Sequence, residues 1–277
     1  MEGNKNLVFP LFMNNRNLLA ALLFIVLPVM LSAQVDTIRF NKQYLKKYWD
    51  DSKEIVRSPV RWEQADWQRF AVFTATTGGL FFADRPVANW MQEHRTDFLN
   101  NASRKAFEPF GAEYSLAVCG ALYGYGLIAK NRKSESTALL AVESFVLASA
   151  FVRVPKYLLG RQRPNNNADV SAFDFRGPFR GDGFPSGHTI AVFSVASVIA
   201  NQYRETVWVP VLSYTLAGLA GLSRIYDNRH WTSDVFAGAV MGIAIGNLVA
   251  PVNKNSRISL YPVKINGAYG VRLALSL

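Results

Sequence analysis

Histidine and cysteine are scarce in this 277-residue chain: there are three of the first and one of the second. The single cysteine, Cys119, lies inside an apolar run, so it cannot close an intrachain disulfide and reads as a small core residue. So few soft ligands leave no zinc-finger spacing, and no Asp, Glu and His cluster with metal-ligand spacing stands out, so neither a metal nor any other cofactor is expected. Charged residues are also sparse, at 18%. The net charge is nevertheless +10, which suits anionic partners such as phosphate esters and anionic lipid headgroups, or marks cations that flank a membrane. A nucleic-acid partner is not expected, because the chain has no long basic helix and no RNA-binding pattern. It shows no internal repeat and no low-complexity tract. What it has in quantity is apolar surface: 50% hydrophobic residues and 13% aromatics.

Three short clusters lie where long apolar runs end or begin: Lys156-Tyr157-Leu158-Leu159-Gly160-Arg161-Gln162-Arg163-Pro164, then Pro185-Ser186-Gly187-His188, then Ser223-Arg224 leading through Ile225–Arg229 to His230-Trp231-Thr232-Ser233-Asp234. Their chemistry is that of a phosphate site. Lys156, Arg163 and Arg224 are fixed cations, and the two arginines can each grip an oxyanion with two parallel hydrogen bonds. Ser186 and Gly187 open an apolar run, where backbone N–H groups at a helix N-terminus form an anion cradle. His230 and Asp234 are four residues apart and share a helical face, so the carboxylate can hold the imidazole in one tautomer while the other ring nitrogen attacks phosphorus. His188 is a second imidazole, suited to protonating a leaving oxygen.

These clusters resemble the signature of the type 2 phosphatidic acid phosphatase superfamily: Lys-x6-Arg-Pro, Pro-Ser-Gly-His and Ser-Arg-x5-His-x3-Asp, every defined position being matched in order. The resemblance covers roughly residues 70–252. It implies an all-α, membrane-associated bundle of about six core helices. His230 is then the nucleophile that forms a phosphohistidine, Asp234 its orienter and His188 the general acid. Lys156, Arg163, Ser186, Gly187 and Arg224 bind phosphate. The implied activity is hydrolysis of a lipid phosphate (phosphatidate-like, polyprenyl diphosphate or lipid A phosphate). A soluble periplasmic acid phosphatase is the alternative, and a vanadium-dependent haloperoxidase, whose site looks similar because vanadate mimics phosphate, ranks last.

The remaining organisation reads in order. Residues 1–33 have the form of an export signal, with Arg16 before the apolar run Leu18–Leu31 and Leu31-Ser32-Ala33 as a small-residue cleavage site; an uncleaved anchor is the competing reading. Residues 34–69 are polar with interleaved aromatics, and Val35–Val56 is expected to form an amphipathic helix stopped by Pro59, lying either on the membrane surface or on the core. Six apolar runs follow, at 70–83, 114–129, 137–152, 188–202, 207–222 and 235–252. Runs three and five end, and runs four and six begin, at the motifs, so an up-down bundle gathers the motifs on one side. The opposite connections carry Lys130, Arg132, Lys133, Arg204, Lys254 and Arg257, which orients the site towards the periplasm of an inner-membrane protein. That orientation requires one early run not to cross, and Phe70–Ala83, the shortest, is the candidate. The loop 160–187 reads as a lid or rim, or as a plain connector. Glu143 reads as a functional group or as one half of an ion pair, and His94 as a surface residue. The tail, 253–277, has two β-rich stretches around Asn266-Gly267, a hairpin signal.

Overall fold

A computed structural model describes residues 38–166 and 170–250 and the strands at 258–265 and 268–275. The export-signal reading therefore lies outside the described residues, as does the Asn266-Gly267 turn.

Nine α-helices are described: α1 (Lys42–Arg57), α2 (Gln64–Glu93), α3 (Asp97–Asn101), α4 (Glu113–Ile128), α5 (Arg132–Phe151), α6 (Arg153–Leu159), α7 (Gly187–Gln202), α8 (Trp208–Tyr226) and α9 (Thr232–Val249). A π-helical turn at Ala102–Phe107 and a 3₁₀ turn at Glu108–Gly111 join α3 to α4. Strands β1 (Ile258–Ile265) and β2 (Ala268–Leu275) pair antiparallel, with Ile265 opposite Ala268. The architecture is all-α apart from this hairpin.

Helix ends follow the sequence chemistry. Asn41 and Asn131 cap α1 and α5, each accepting a backbone N–H three residues on, at 2.9 and 3.1 Å. The Ser186 hydroxyl caps α7 by accepting the Thr189 N–H at 3.4 Å. The Asp234 carboxylate caps α9 by accepting the Trp231 N–H at 2.9 Å.

Helix α7 lies at the centre, with α5, α8 and α9 packed around it and α4 outside α5. The main core joins Cys119, Leu140, Leu147, Ile190, Val195, Val198, Ile245 and Val249. The contact of α7 with α9 is the closest. Gly238, Gly242 and Gly246 recur every four residues along α9, and a Cβ on Gly242 would sit 2.5 Å from the Ile190 carbonyl oxygen. This approach of backbones brings the N-terminus of α7 against that of α9, where the Ser186 N–H donates to the Asp234 carbonyl at 3.0 Å. Buried hydroxyls within the bundle return hydrogen bonds to their own helices, as Thr137 does to the Lys133 carbonyl (2.7 Å) and Ser197 to that of Phe193 (2.8 Å).

Helix α1 is the amphipathic helix expected from 35–56, begun later and ended at Arg57. It is seated on the core by one face: the Tyr44 hydroxyl donates to the Leu139 carbonyl (2.7 Å), and Lys47 Nζ lies 3.3 Å from a Glu143 carboxylate oxygen. Its Trp49, and Phe40 just before the helix, stay exposed. Glu143 is thus half of an ion pair. His94 is exposed, stacked on Trp90 at 4.7 Å. The α5–α6 stretch, Arg132–Leu159, and α9 are long and apolar enough to cross a membrane.

Candidate active site

The four chain ends that carry the motifs meet at one end of the bundle. Helix α5 breaks at Val152 and continues as α6, which holds Lys156 and ends at Gly160. The chain then runs back over itself. Gly183 N–H donates to the Arg161 carbonyl (2.8 Å), Gln162 N–H to that of Asp174 (2.9 Å) and Phe179 N–H to that of Tyr157 (2.8 Å). Phe173, Phe175 and Phe184 from this loop pack on Phe81 of α2. The described residues of 160–187 are therefore folded against the motif residues through backbone hydrogen bonds.

His230 is buried, in the turn between α8 and α9. Its Nδ1 lies 2.8 Å from the Gly183 carbonyl oxygen. A carbonyl only accepts, so Nδ1 carries the proton and Nε2 keeps its lone pair. Burial first, and then the positive charges of Arg163, Lys156 and Arg224, push the pKa of the ring well below its ordinary value of 6.5, so the neutral form is favoured. Asp234, assigned from spacing as the orienter, is more distant: its Oδ2 is 3.5 Å from Nδ1. That oxygen accepts the Trp231 N–H, and Oδ1 accepts from Arg161 at 2.5 Å. The direct hydrogen-bond partner of the ring is thus a backbone carbonyl that no motif reading identifies.

The cations surround this ring. Lys156 Nζ donates to the Asp182 carbonyl at 2.5 Å. Arg163 forks onto the Asp182 carboxylate, Nε at 2.8 Å and Nη2 at 2.6 Å. Burial opposes the charge on Asp182, but hydrogen bonding and charge from Arg163, aided by Lys156, hold its pKa below the usual carboxylate value. Arg224 is 5% exposed, with Nη1 2.9 Å from Glu108 Oε1. That contact is an ion pair, while the buried Nε has no acceptor among the described residues. A buried guanidinium donor without an acceptor is a costly arrangement that an oxyanion would relieve.

The sequence-assigned anion cradle is present in altered form. The Ser186 N–H is taken by the Asp234 carbonyl and its hydroxyl caps α7, so the donors left at this helix end are the N–H groups of Gly187 and His188. Gly187 faces Lys156: a Cβ there would lie 4.0 Å from Lys156 Cε. The His188 ring fits because residue 111 is glycine; a Cβ on Gly111 would stand 2.2 Å from His188 Cδ2.

Sequence reasoning missed Arg161. It is fully buried and donates to Ala172, Ser233, Asp84 and Asp234. Glu108 and Asp182, the carboxylates beside Arg224 and Arg163, were missed too. Among the described residues, no group of three His, Cys, Asp or Glu is arranged to hold a metal ion.

Residues 137–258 match the family model of the PAP2 superfamily. The lipid A 1-phosphatase of Porphyromonas gingivalis is 33% identical over 126 residues, which are 45% of this chain and 26% of that protein. The undecaprenyl-diphosphatase of Sulfolobus acidocaldarius is 28% identical over 127 residues, 46% of this chain and 60% of that one. The chain thus spans less than two thirds of the length of either relative. Among solved structures, Aquifex aeolicus LpxE superposes with a TM-score of 0.48 at 24% identity, covering 60% of this chain and 94% of that one. A transmembrane PAP2-type phosphatidylglycerolphosphate phosphatase from Bacillus subtilis gives 0.47 at 19% identity, covering 75% and 92%. All three motifs lie within the stretch from 137 to 258 that matches the PAP2 superfamily model.

Proposed function

We propose that this chain is a membrane-bound phosphatase that hydrolyses the phosphate of a lipid through a phosphohistidine on His230. The observation that carries the reading is the pairing of a buried imidazole, its Nδ1 committed to the Gly183 carbonyl, with a buried Arg224 whose Nε lacks an acceptor among the described residues. The phosphate occupies the space between Lys156, Arg163 and Arg224, with the N–H groups of Gly187 and His188 as further donors. Nε2 of His230 attacks phosphorus in line; the P–O bond to the leaving group breaks, and His188 gives that oxygen its proton. Water then attacks the phosphohistidine, with His188 taking a proton back. The protein contributes placement and charge stabilisation, which is most of what phosphoryl transfer needs.

The lipid part of the substrate is supported by the names of the relatives and by the surface beside Lys156. Val154, Tyr157 and Leu158 on α6 are exposed, and exposed Phe179 stacks on Tyr157 at 5.7 Å. Lys130 and Arg204 sit on the connections opposite the site, and Arg132 and Lys133 open α5 beside the first of them, which supports an inner-membrane protein with its site towards the periplasm.

The test is phosphate release by detergent-purified protein from phosphatidate, lipid A 1-phosphate, a polyprenyl diphosphate and a soluble aryl phosphate. Faster turnover of a long-chain lipid, abolished in His230→Ala, is expected. Faster turnover of the aryl phosphate would favour a soluble-ester phosphatase, and undiminished activity in His230→Ala would remove the nucleophile assignment.

A further inference from the structure

Behind His230 lies a buried charge network that no step above uses. The Arg161 guanidinium has no exposure, and all five of its N–H groups have acceptors. Nε and Nη2 reach the Ala172 carbonyl at 2.9 and 2.5 Å. Nη1 reaches the Ser233 hydroxyl at 2.7 Å and Asp234 Oδ1 at 2.5 Å. Nη2 also reaches Asp84 Oδ2 at 2.7 Å. Asp84, on α2 and equally buried, accepts the Ser233 N–H at 2.8 Å and its hydroxyl at 2.5 Å. Phe81 and Trp231 close over the guanidinium at 4.5 and 5.7 Å.

We infer that Asp84 and Arg161 are positioning residues of this site: they lock Asp234 against the His230 ring and set one net negative charge behind it. The inference rests on His230 being the nucleophile. A guanidinium anchored at every donor cannot turn, so Asp234 Oδ1 is fixed and Oδ2 is held 3.5 Å from His230 Nδ1. Two carboxylates share one cation, which leaves a single negative charge. When the Nε2 lone pair forms the N–P bond and the leaving oxygen takes its proton from His188, the ring keeps its Nδ1 proton and becomes cationic. The network faces that new charge, and acts on it more strongly than on the neutral ring of the resting enzyme. It therefore serves turnover and leaves substrate binding alone. Asp84 lies outside the matched stretch 137–258, so α2 supplies a part of the site that the domain does not contain.

The experiment uses the full chain in detergent, with Asp84→Asn, Asp234→Asn and the double variant, plus Arg161→Lys as a second probe that keeps the charge but cannot span both carboxylates. Steady-state kinetics on the best lipid phosphate and thermal melting are read for each. Asp84→Asn is expected to lower kcat by about tenfold or more with KM within about twofold. It should add nothing to Asp234→Asn, because both act through one carboxylate. Wild-type kcat in either folded probe overturns the inference, as does a double variant in which the two losses multiply. An active wild type whose His230→Ala variant is equally active overturns the reading of the site itself, and this inference with it.

Discussion

Gly111→Ala tests the placement of the general acid, and its size follows from the structure. The added Cβ would stand 2.2 Å from His188 Cδ2, 2.7 Å from Cγ and 2.8 Å from Cβ. Ordinary contact begins near 3.4 Å, so the ring must retreat by about 1.2 Å. The first turn of α7 cannot follow, because its backbone is held by the Ser186 bond to Asp234 and by close packing on α9. A displacement of about 1 Å in a catalytic group costs roughly 100-fold. The cost should depend on the leaving group. An alkoxide needs the proton from His188, whereas an aryl oxide departs without it. The assay is kcat for a lipid phosphate beside kcat for a nitrophenyl phosphate, with thermal melting as a check on folding. A loss of about 100-fold on the lipid and under about tenfold on the aryl ester is expected. Equal losses on both, or none, would refute the placement of His188 as acid.

Other outcomes follow from the same geometry. The His230 pKa is held well below 6.5. The nucleophile is therefore neutral above that lowered value, and the acid limb of kcat/KM falls below pH 6.5 after correction for the substrate's own ionisation near pH ~6; an acid limb above 6.5 would contradict the burial argument. Lys47→Met leaves the buried Glu143 carboxylate without its partner, 3.3 Å away. A loss of about 2 kcal/mol is expected by chemical or thermal unfolding. The kcat value should not change, since Lys47 also touches the Val249 carbonyl at the far end of α9, about 25 Å from its N-terminus. Arg224→Lys keeps a charge but loses the fork aimed at the phosphate, and should raise KM about tenfold in a steady-state titration.

The parts of the fold legible in the sequence were those that repeat locally. The apolar runs at 114–129 and 188–202 coincide within a residue with α4 and α7, whereas 207–222 stops short of α8, which continues through Ser223-Arg224 to Tyr226. The run 70–83 understates α2, which extends from Gln64 to Glu93. Its flanks are polar but remain good helix formers, and hydropathy alone cannot see them. Lys156, Arg163, His188, Arg224 and His230 could be singled out because each stands in a short local cluster at the end of an apolar run. Arg161 could not. Nothing near it separates it from Arg163, two residues on, and its carboxylate partners lie 77 and 73 positions away. The Gly183 carbonyl was invisible for another reason: a backbone acceptor has no residue type to read. The spacing of His230 and Asp234 suggested a direct bond, but the N-terminus of α9 and Arg161 both compete for that carboxylate and hold it 3.5 Å from the ring.

The central claim is a covalent phosphoryl group on one imidazole. The direct measurement is rapid acid-free quenching of the enzyme with substrate labelled in its phosphate, followed by digestion and mapping. An alkali-stable, acid-labile label on the peptide containing His230 is expected, rising before free phosphate appears. Turnover with no label on any peptide, or with label only on a peptide lacking His230, would contradict the account.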